Sequence, residues 1–143
     1  MSMKLDPPFD SQSIEGTSVL RLDFAKLKKI SENNPVIPVA VQNALTQEVI
    51  LIAYTNKLAF EETVRQRKAI FWSTSRNKLW FKGEESGNTF TIQSVHVNCE
   101  QNSLVYKVLP DKGDICHTSI NEVANNCFYR KIDLDTLELV MSY

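Results

Sequence analysis

Two runs rich in β-branched residues, separated by a short polar stretch, constrain this chain more than any other feature of its sequence. The runs are Val36–Val41 and Val49–Tyr54, and the polar stretch between them is Asn43–Glu48. Val and Ile fit the pleated, half-buried surface of a sheet, and a polar break of this length is typical of a turn between antiparallel neighbours. The sequence therefore predicts a β-hairpin and a fold built around a sheet.

The segment from Asn56 to Arg67 has the pattern of an amphipathic helix. Asn56 is a favourable N-cap, and basic residues at the end of the segment complement the negative end of a helix dipole. Further strand-like segments are 69–73, 79–81, 89–98, 103–109 and 128–132. Together these elements predict a strand-rich α+β domain with one main amphipathic helix.

Length and composition indicate one domain. The chain has 143 residues, 43% of them hydrophobic, which suffices for a single buried core. Residues 1–18 show no periodicity, so we expect a flexible tail there and a domain over 19–143. The 16 basic and 17 acidic residues form no long runs, which argues against nucleic-acid or membrane partners. Without a membrane-length apolar run or a secretory leader, we expect a cytoplasmic protein.

Three cysteines, Cys99, Cys116 and Cys127, are the strongest metal-site candidates. In a reducing compartment, cysteines are better explained as metal ligands, nucleophiles or buried apolar residues than as disulfides. Three thiolates can hold zinc and leave a fourth position for water. No C-x-x-C pair is present, so burial of the thiols as small hydrophobes is an alternative. His117, next to Cys116, is a metal ligand, a general acid or base, or an ordinary loop histidine.

Residues 71–88 combine hydroxyls, cations, aromatic rings and glycines, a composition typical of phosphate and base binding. Arg76 can grip a phosphate group with two hydrogen bonds, and Lys82 can add a point charge. The hydroxyls of Ser73, Ser75 and Ser86 can donate further bonds. The alternative is an ordinary hairpin with a solvated charged loop. We expect Trp72 and Trp80 to form core or pocket wall rather than to stack on a ligand.

Taken together, these segments resemble the phosphoribosyl-AMP cyclohydrolases, enzymes of histidine biosynthesis that open an adenine ring. The resemblance is collinear from about residue 22 to residue 130. Several independent motifs carry it, which makes a chance match improbable. They include Phe71-Trp72-Ser73-Thr74-Ser75-Arg76, Leu79-Trp80-Phe81-Lys82-Gly83, Ser86-Gly87-Asn88, Cys116-His117-Thr118 and Cys127-Phe128-Tyr129-Arg130.

The resemblance implies a site and a reaction. It implies that Cys99, Cys116 and Cys127 bind zinc, with ligands shared between the subunits of a homodimer. The expected reaction is zinc-dependent hydrolysis that opens the adenine ring of N1-(5-phosphoribosyl)-AMP, with His117 as the proton carrier. The expected substrate contacts are Ser73, Ser75, Arg76, Lys82 and Ser86.

The chain also departs from the family's pattern. A motif whose three aspartates bind magnesium in the family reads Asn98-Cys99-Glu100-Gln101-Asn102 here. Glu100 alone is left as a candidate ligand for a weakly held magnesium ion, so we do not expect a family-like magnesium site. The loop between Cys116 and Cys127 is also longer than usual. These changes favour a diverged member and leave two alternatives: a zinc hydrolase of another purine or related nucleotide, and a non-enzymatic, zinc-stapled nucleotide-binding dimer.

Overall fold

A computed structural model of the chain describes residues 17–33, 35–111, 119–120, 123–124 and 126–141. Neither helix of this part is long and apolar enough to cross a membrane. The helices are α1 (Lys26–Asn33) and α2 (Lys57–Gln66), and the strands are β1 (Ile37–Asn43), β2 (Val49–Thr55), β3 (Ile70–Ser73), β4 (Lys78–Phe81), β5 (Phe90–Val97), β6 (Leu104–Pro110), β7 (Ser119–Ile120), β8 (Val123–Ala124), β9 (Arg130–Ile132) and β10 (Leu139–Met141).

The predicted strand-rich α+β architecture is confirmed. The predicted hairpin is β1 and β2, which pair antiparallel with Ile37 opposite Thr55. The predicted helix is α2, where the Asn56 side chain accepts a hydrogen bond of 2.9 Å from the Ala59 backbone N–H. The helix ends at Arg67, whose left-handed backbone (φ 57°) stops the helical repeat. Local residue chemistry therefore determines both ends of α2.

Four short elements were not predicted from the sequence: α1, β7, β8 and β10. Ile30 is the buried side chain of α1 among those described, so the apolar stripe that would reveal this helix is very narrow. The three strands are two or three residues long, too short for alternation to be read. Of the predicted tail, residues 1–16 lie outside the described part of the chain.

The central sheet has the strand order β2-β1-β6-β5. Its inner pair, β1 and β6, is parallel, with Val39 opposite Leu104, whereas both outer pairs are antiparallel. Between β2 and β5 the chain forms α2 and the β3–β4 hairpin, and β3 lies against both α2 and β2. This long connection allows β6 to return parallel to β1.

One face of the sheet forms the core. Val39 and Val41 of β1 and Tyr106 and Val108 of β6 are fully buried, as strand alternation requires of side chains on one face. Phe71 of β3 is fully buried too, and its ring stacks on that of Tyr106 with centroids 5.9 Å apart. Each such side chain contributes about 1.5–3 kcal/mol by leaving water. The β3–β4 hairpin is thereby packed onto the sheet.

Thr63 of α2 joins the helix to the hairpin. Its buried hydroxyl donates to the Ile70 carbonyl (2.8 Å) and accepts from the Ile70 N–H (3.1 Å). Burial raises the pKa of the neighbouring Tyr106 phenol, while the hydroxyls of Thr55 and Thr63 act in the opposite direction. The Thr63 hydroxyl thus connects α2 to β3.

A cluster around Asp111 fixes the end of β6. The Asp111 carboxylate accepts hydrogen bonds from the Lys68 ammonium (2.8 Å) and from the hydroxyls of Thr89 and Thr91. Desolvation is the largest single effect and raises the pKa of Asp111. The bonds from Lys68, Thr89 and Thr91, with the charge of Lys68, outweigh it and lower this pKa to about 2. The cluster ties β6 to the start of β5 and to the end of α2.

We expect Asp111 to stabilise the fold above about pH 4 and to lose this effect as the pH falls towards about 2. The sign follows because the ordinary pKa of 3.8 is lowered to about 2, so the unfolded chain binds the proton more tightly. Asp111→Asn should lower the free energy of unfolding at neutral pH by about 1 kcal/mol, allowing for solvent screening of this partly exposed pair.

Chemical denaturation at a series of pH values tests this expectation. Asp135→Asn, in an exposed turn, is the matched control and should leave the pH profile unchanged. Identical profiles for the two variants would contradict the assignment of acid sensitivity to Asp111.

Candidate functional site

A cavity of about 560 Å³ lies between the β3–β4 hairpin, the loop after it, β2 and the start of α1. Polar and charged residues of the hairpin make up much of its wall. The five predicted substrate contacts, Ser73, Ser75, Arg76, Lys82 and Ser86, all line it. The structure therefore places all five expected substrate contacts on the wall of one cavity.

The turn between β3 and β4 presents Arg76. Ser73 caps the turn, since its hydroxyl accepts a hydrogen bond of 3.3 Å from the Arg76 N–H and lies 3.4 Å from that of Ser75. Asn77 has a left-handed backbone (φ 56°), which asparagine adopts more readily than most residues. The turn is thus closed by its own side chains, with the guanidinium at the exposed tip.

The loop after β4 depends on Gly83. Its φ is +81°, and a Cβ there would lie 2.2 Å from the Asn88 carbonyl carbon, so no larger residue fits without movement of the backbone. The Gly87 N–H donates to the Gly83 carbonyl (2.7 Å), and the Asn88 N–H donates to the Ser86 hydroxyl (3.2 Å). This tight closure holds Lys82 and Ser86 at the pocket wall.

Sequence reasoning missed several residues of the pocket. Lys26 reaches it from α1, which was not predicted, and Lys78 reaches it from β4. Trp80, also on β4, was expected as core or pocket wall, and it lines the cavity. Strand alternation could have identified Lys78, because it shares a strand face with Lys82. No local signal could have identified Lys26, since its position depends on how α1 packs. The charged residues of the wall are Lys26, Arg76, Lys78, Lys82, Glu84 and Glu85.

Two of the three predicted metal ligands are described, and they lie far apart. Cys127 is exposed, lines the pocket, and donates its backbone N–H to the Ile50 carbonyl (2.8 Å) beside edge strand β2. Cys99 is exposed in the turn after β5, the opposite edge strand. Three strand spacings separate these edges, or about 14 Å. Within the described residues, no three His, Cys, Asp or Glu side chains form a metal-binding cluster.

The remaining predicted residues of the catalytic and metal site are Cys116 and His117. Both lie outside the described residues. Their roles as zinc ligand and proton carrier therefore remain predictions from the sequence.

The turn that carries Cys99 is closed by amide side chains. Asn98 Nδ2 donates to Asn102 Oδ1 (2.7 Å), and Asn98 Oδ1 accepts from the backbone N–H groups of Asn102 and Ser103 (2.9 Å each). Asn102 Nδ2 in turn lies 3.4 Å from a carboxylate oxygen of Glu100. The Asn102 side chain therefore bonds to the side chains of both Asn98 and Glu100.

Comparison with known proteins gives one consistent result. The model of the phosphoribosyl-AMP cyclohydrolase family matches residues 51–129, which include the pocket hairpin and all three cysteines. A phosphoribosyl-AMP cyclohydrolase of Chloroherpeton thalassium is 35% identical over 125 residues, or 87% of this chain and 83% of the relative. One of Nitrosopumilus maritimus is 43% identical over 111 residues, or 78% and 93%.

A longer relative also matches. The histidine biosynthesis bifunctional protein HisIE of Thermus thermophilus is 44% identical over 97 residues, which cover 68% of this chain and 43% of the relative. The family match spans more than half of the chain, and the first two relatives are covered over most of their own length. The chain belongs to the phosphoribosyl-AMP cyclohydrolase family.

Proposed function

We propose that this protein hydrolyses N1-(5-phosphoribosyl)-AMP in histidine biosynthesis and opens its adenine ring. One observation carries the proposal beyond family membership: five side chains suited to phosphate binding line one cavity together with Cys127. The relatives that cover most of this chain bear the name of this activity. We place the reaction in the cytoplasm, where cysteines stay reduced.

In the proposed reaction, water attacks C6 of the N1-ribosylated adenine. The bond between N1 and C6 then breaks, the exocyclic nitrogen stays, and the leaving ring nitrogen takes up a proton. The product is the formimino carboxamide ribotide. Arg76 and Lys82 would hold phosphate groups, and the serine hydroxyls would orient them. His117 is the proposed proton carrier, because imidazole titrates near neutral pH.

The proposed cofactor is zinc, bound by Cys99, Cys116 and Cys127. The exposed thiols of Cys99 and Cys127 fit this role in their chemistry, and Cys127 is already at the pocket wall. When bound, zinc would supply Lewis acidity that makes water nucleophilic near neutral pH.

The proposed zinc site needs two chains. Zinc–sulfur bonds are about 2.3 Å long, so two thiolates on one ion lie within about 5 Å of each other. Cys99 and Cys127 lie beside opposite edge strands of the same sheet, and these two strands are about 14 Å apart by strand spacing. In a homodimer, Cys99 of one chain can approach Cys127 of its partner. The two thiolates can then bind one zinc ion although they are far apart within each chain.

We propose that the family's magnesium site is not used here. Magnesium prefers anionic oxygen ligands in octahedral geometry and gives up its waters reluctantly. Asn98 and Asn102 are neutral and already hydrogen-bonded to each other, and Glu100 is the single carboxylate of the set. A magnesium ion bound by these amide oxygens would have to break their existing hydrogen bonds.

The test of the proposed function is an activity assay with defined metals. We expect the purified protein with zinc to convert phosphoribosyl-AMP, followed by ultraviolet absorbance, and to leave AMP, which lacks the N1 ribose, unchanged. No turnover with zinc bound would refute the proposal. The remaining candidates would then be hydrolysis of another purine nucleotide and a zinc-stapled, nucleotide-binding dimer.

Mixing of two inactive variants tests the shared zinc site. We expect Cys99→Ser and Cys127→Ser each to lose zinc and to lower activity at least about 100-fold. Random exchange of chains should then restore about a quarter of the sites, because half of the dimers are mixed and each holds one complete site. Activity and zinc content measured before and after mixing decide the question.

A control mixture and a contradicting result complete this test. The control is Cys127→Ser alone, taken through the same exchange procedure at the same total protein concentration, and it should stay inactive. Absence of recovery despite chain exchange, verified by light scattering and tagged chains, would contradict sharing of ligands.

Restoring the acids tests the magnesium proposal. We expect the melting temperature of the unmodified protein to be independent of millimolar magnesium. The triple variant Asn98→Asp/Glu100→Asp/Asn102→Asp should be less stable without divalent ions, because like charges replace an amide pair, and should regain stability with magnesium. Calorimetric titration should show binding to the variant only.

The control for added charge is Gln47→Glu/Gln93→Glu, which introduces two carboxylates at exposed positions away from the turn. Its melting temperature should not respond specifically to magnesium. If the unmodified protein and the triple variant bind magnesium with equal affinity, replacement of the aspartates by amides does not weaken magnesium binding, and the proposal is wrong.

A further inference from the structure

One residue of the pocket wall, Lys26, comes from a different part of the chain than the others. Among the described residues, the rest of the wall is formed by β2, the β3–β4 hairpin, the loop after it and Cys127. These residues all fall within 51–129, the segment that the family model matches. Lys26 precedes that segment, because α1 comes before β1 in the chain. The family match therefore does not include this side of the pocket.

Lys26 lies on the side of α1 that faces the body of the protein. Residues four positions apart in an α-helix are only about 40° apart around its axis. Ile30, four residues after Lys26, is 7% exposed and packs the helix against the rest of the chain. Lys28, midway between them in sequence, points about 160° away from both. Among the described residues of α1, Lys26 is the one that lines the cavity.

The segment that leads into α1 is attached close to the pocket. The Arg130 guanidinium donates a hydrogen bond to the Thr17 carbonyl. Arg130 also lies over the ring of Tyr129, at 5.1 Å from its centroid, and Tyr129 is 7% exposed. Both residues directly follow the segment of Cys127, which itself lines the cavity. The contact at Thr17 and the buried side chain of Ile30 together hold α1 at the side of the pocket.

The ammonium of Lys26 is available to a ligand. Within the described part of the chain, Lys26 takes part in none of the ion pairs, although Glu84 and Glu85 line the same cavity. Cations outnumber carboxylates by four to two among the described wall residues, which favours an anionic ligand. An exposed lysine is usually only solvated, but this one lies on the buried side of its helix and at a cavity wall.

We infer that Lys26 is a substrate-binding residue, and that it contacts a phosphate group of the bound nucleotide from the α1 side of the pocket. The inference rests on the proposed function for the identity of the nucleotide. It goes beyond that function by making the N-terminal helix a part of the site. Lys26 binds and does not take part in the chemical step, so its contribution lies in KM and not in kcat.

Substitution of Lys26 tests the inference. In Lys26→Met, the KM for phosphoribosyl-AMP at low salt should rise about tenfold, with kcat little changed, because a charge-assisted contact is lost. Lys26→Arg keeps the charge and should restore most of the affinity. The difference between Lys26→Met and the unmodified protein should shrink at high salt, which screens the attraction. Steady-state kinetics at two salt concentrations measure these effects.

Lys28→Met is the matched control. It removes the same charge from the same helix, on the side away from Ile30, and should leave the KM unchanged. Both lysines are exposed, so the melting temperature of each variant should stay close to that of the unmodified protein. An unchanged KM in Lys26→Met, an equal rise in both variants, or a fall in kcat without a rise in KM overturns the inference. These results leave the proposed function intact.

Failure of the proposed function is a separate result. If the unmodified protein with zinc bound shows no turnover, that function is refuted, and the equilibrium dissociation constant of phosphoribosyl-AMP, measured by calorimetry, replaces the KM. Binding that is about tenfold weaker in Lys26→Met and unchanged in Lys28→Met then supports the role of Lys26 in nucleotide binding. Equal dissociation constants for the two variants, or no binding to the unmodified protein, overturn it.

Discussion

The stacking of Phe71 on Tyr106 holds the pocket in place. The β3–β4 hairpin forms a two-stranded sheet of its own, separate from the four-stranded one. It is attached through Phe71 in the core and through the bonds between Thr63 and Ile70. A buried aromatic pair is worth about 0.5–1.5 kcal/mol beyond the burial of its area. Because the β3–β4 hairpin and the loop after it carry Arg76, Lys78 and Lys82, three of the four cations of the pocket, the position of the binding wall is set by packing inside the core.

The central strands could be predicted because their residues alternate over a sufficient length. β1 and β6 bury every second residue, and β-branched side chains dominate β1 and β2. α1 could not be predicted in the same way, because Ile30 is its buried side chain among those described. One buried residue does not define a helical periodicity in the sequence. The pairing of β1 with β6 was also beyond local patterns, since a parallel ladder joins segments that are about sixty residues apart.

The candidate site was predictable in composition and not in arrangement. Arg76 and Lys82 stood out by their chemistry, and both line the cavity. The sequence did not show that they lie at opposite ends of one strand with Trp80 between them. It also identified Asn98 and Asn102 as replacements for acids, yet only the structure shows that these amides bond to each other. Side-chain identity predicts what a residue can bind, whereas its partners depend on the tertiary fold.

The chain segment between β6 and Cys127 is anchored independently at its two ends. Asp111 is held by Lys68, Thr89 and Thr91 at one end, and the Cys127 N–H is bonded to the Ile50 carbonyl at the other. The entropy cost of closing a loop grows slowly, by about 0.6 kcal/mol for each doubling of its length. A change in chain length between these anchors therefore costs little in loop entropy and leaves the Cys127 backbone bonded beside β2. The β3–β4 turn, which is closed by its own side chains, lacks such independent anchors.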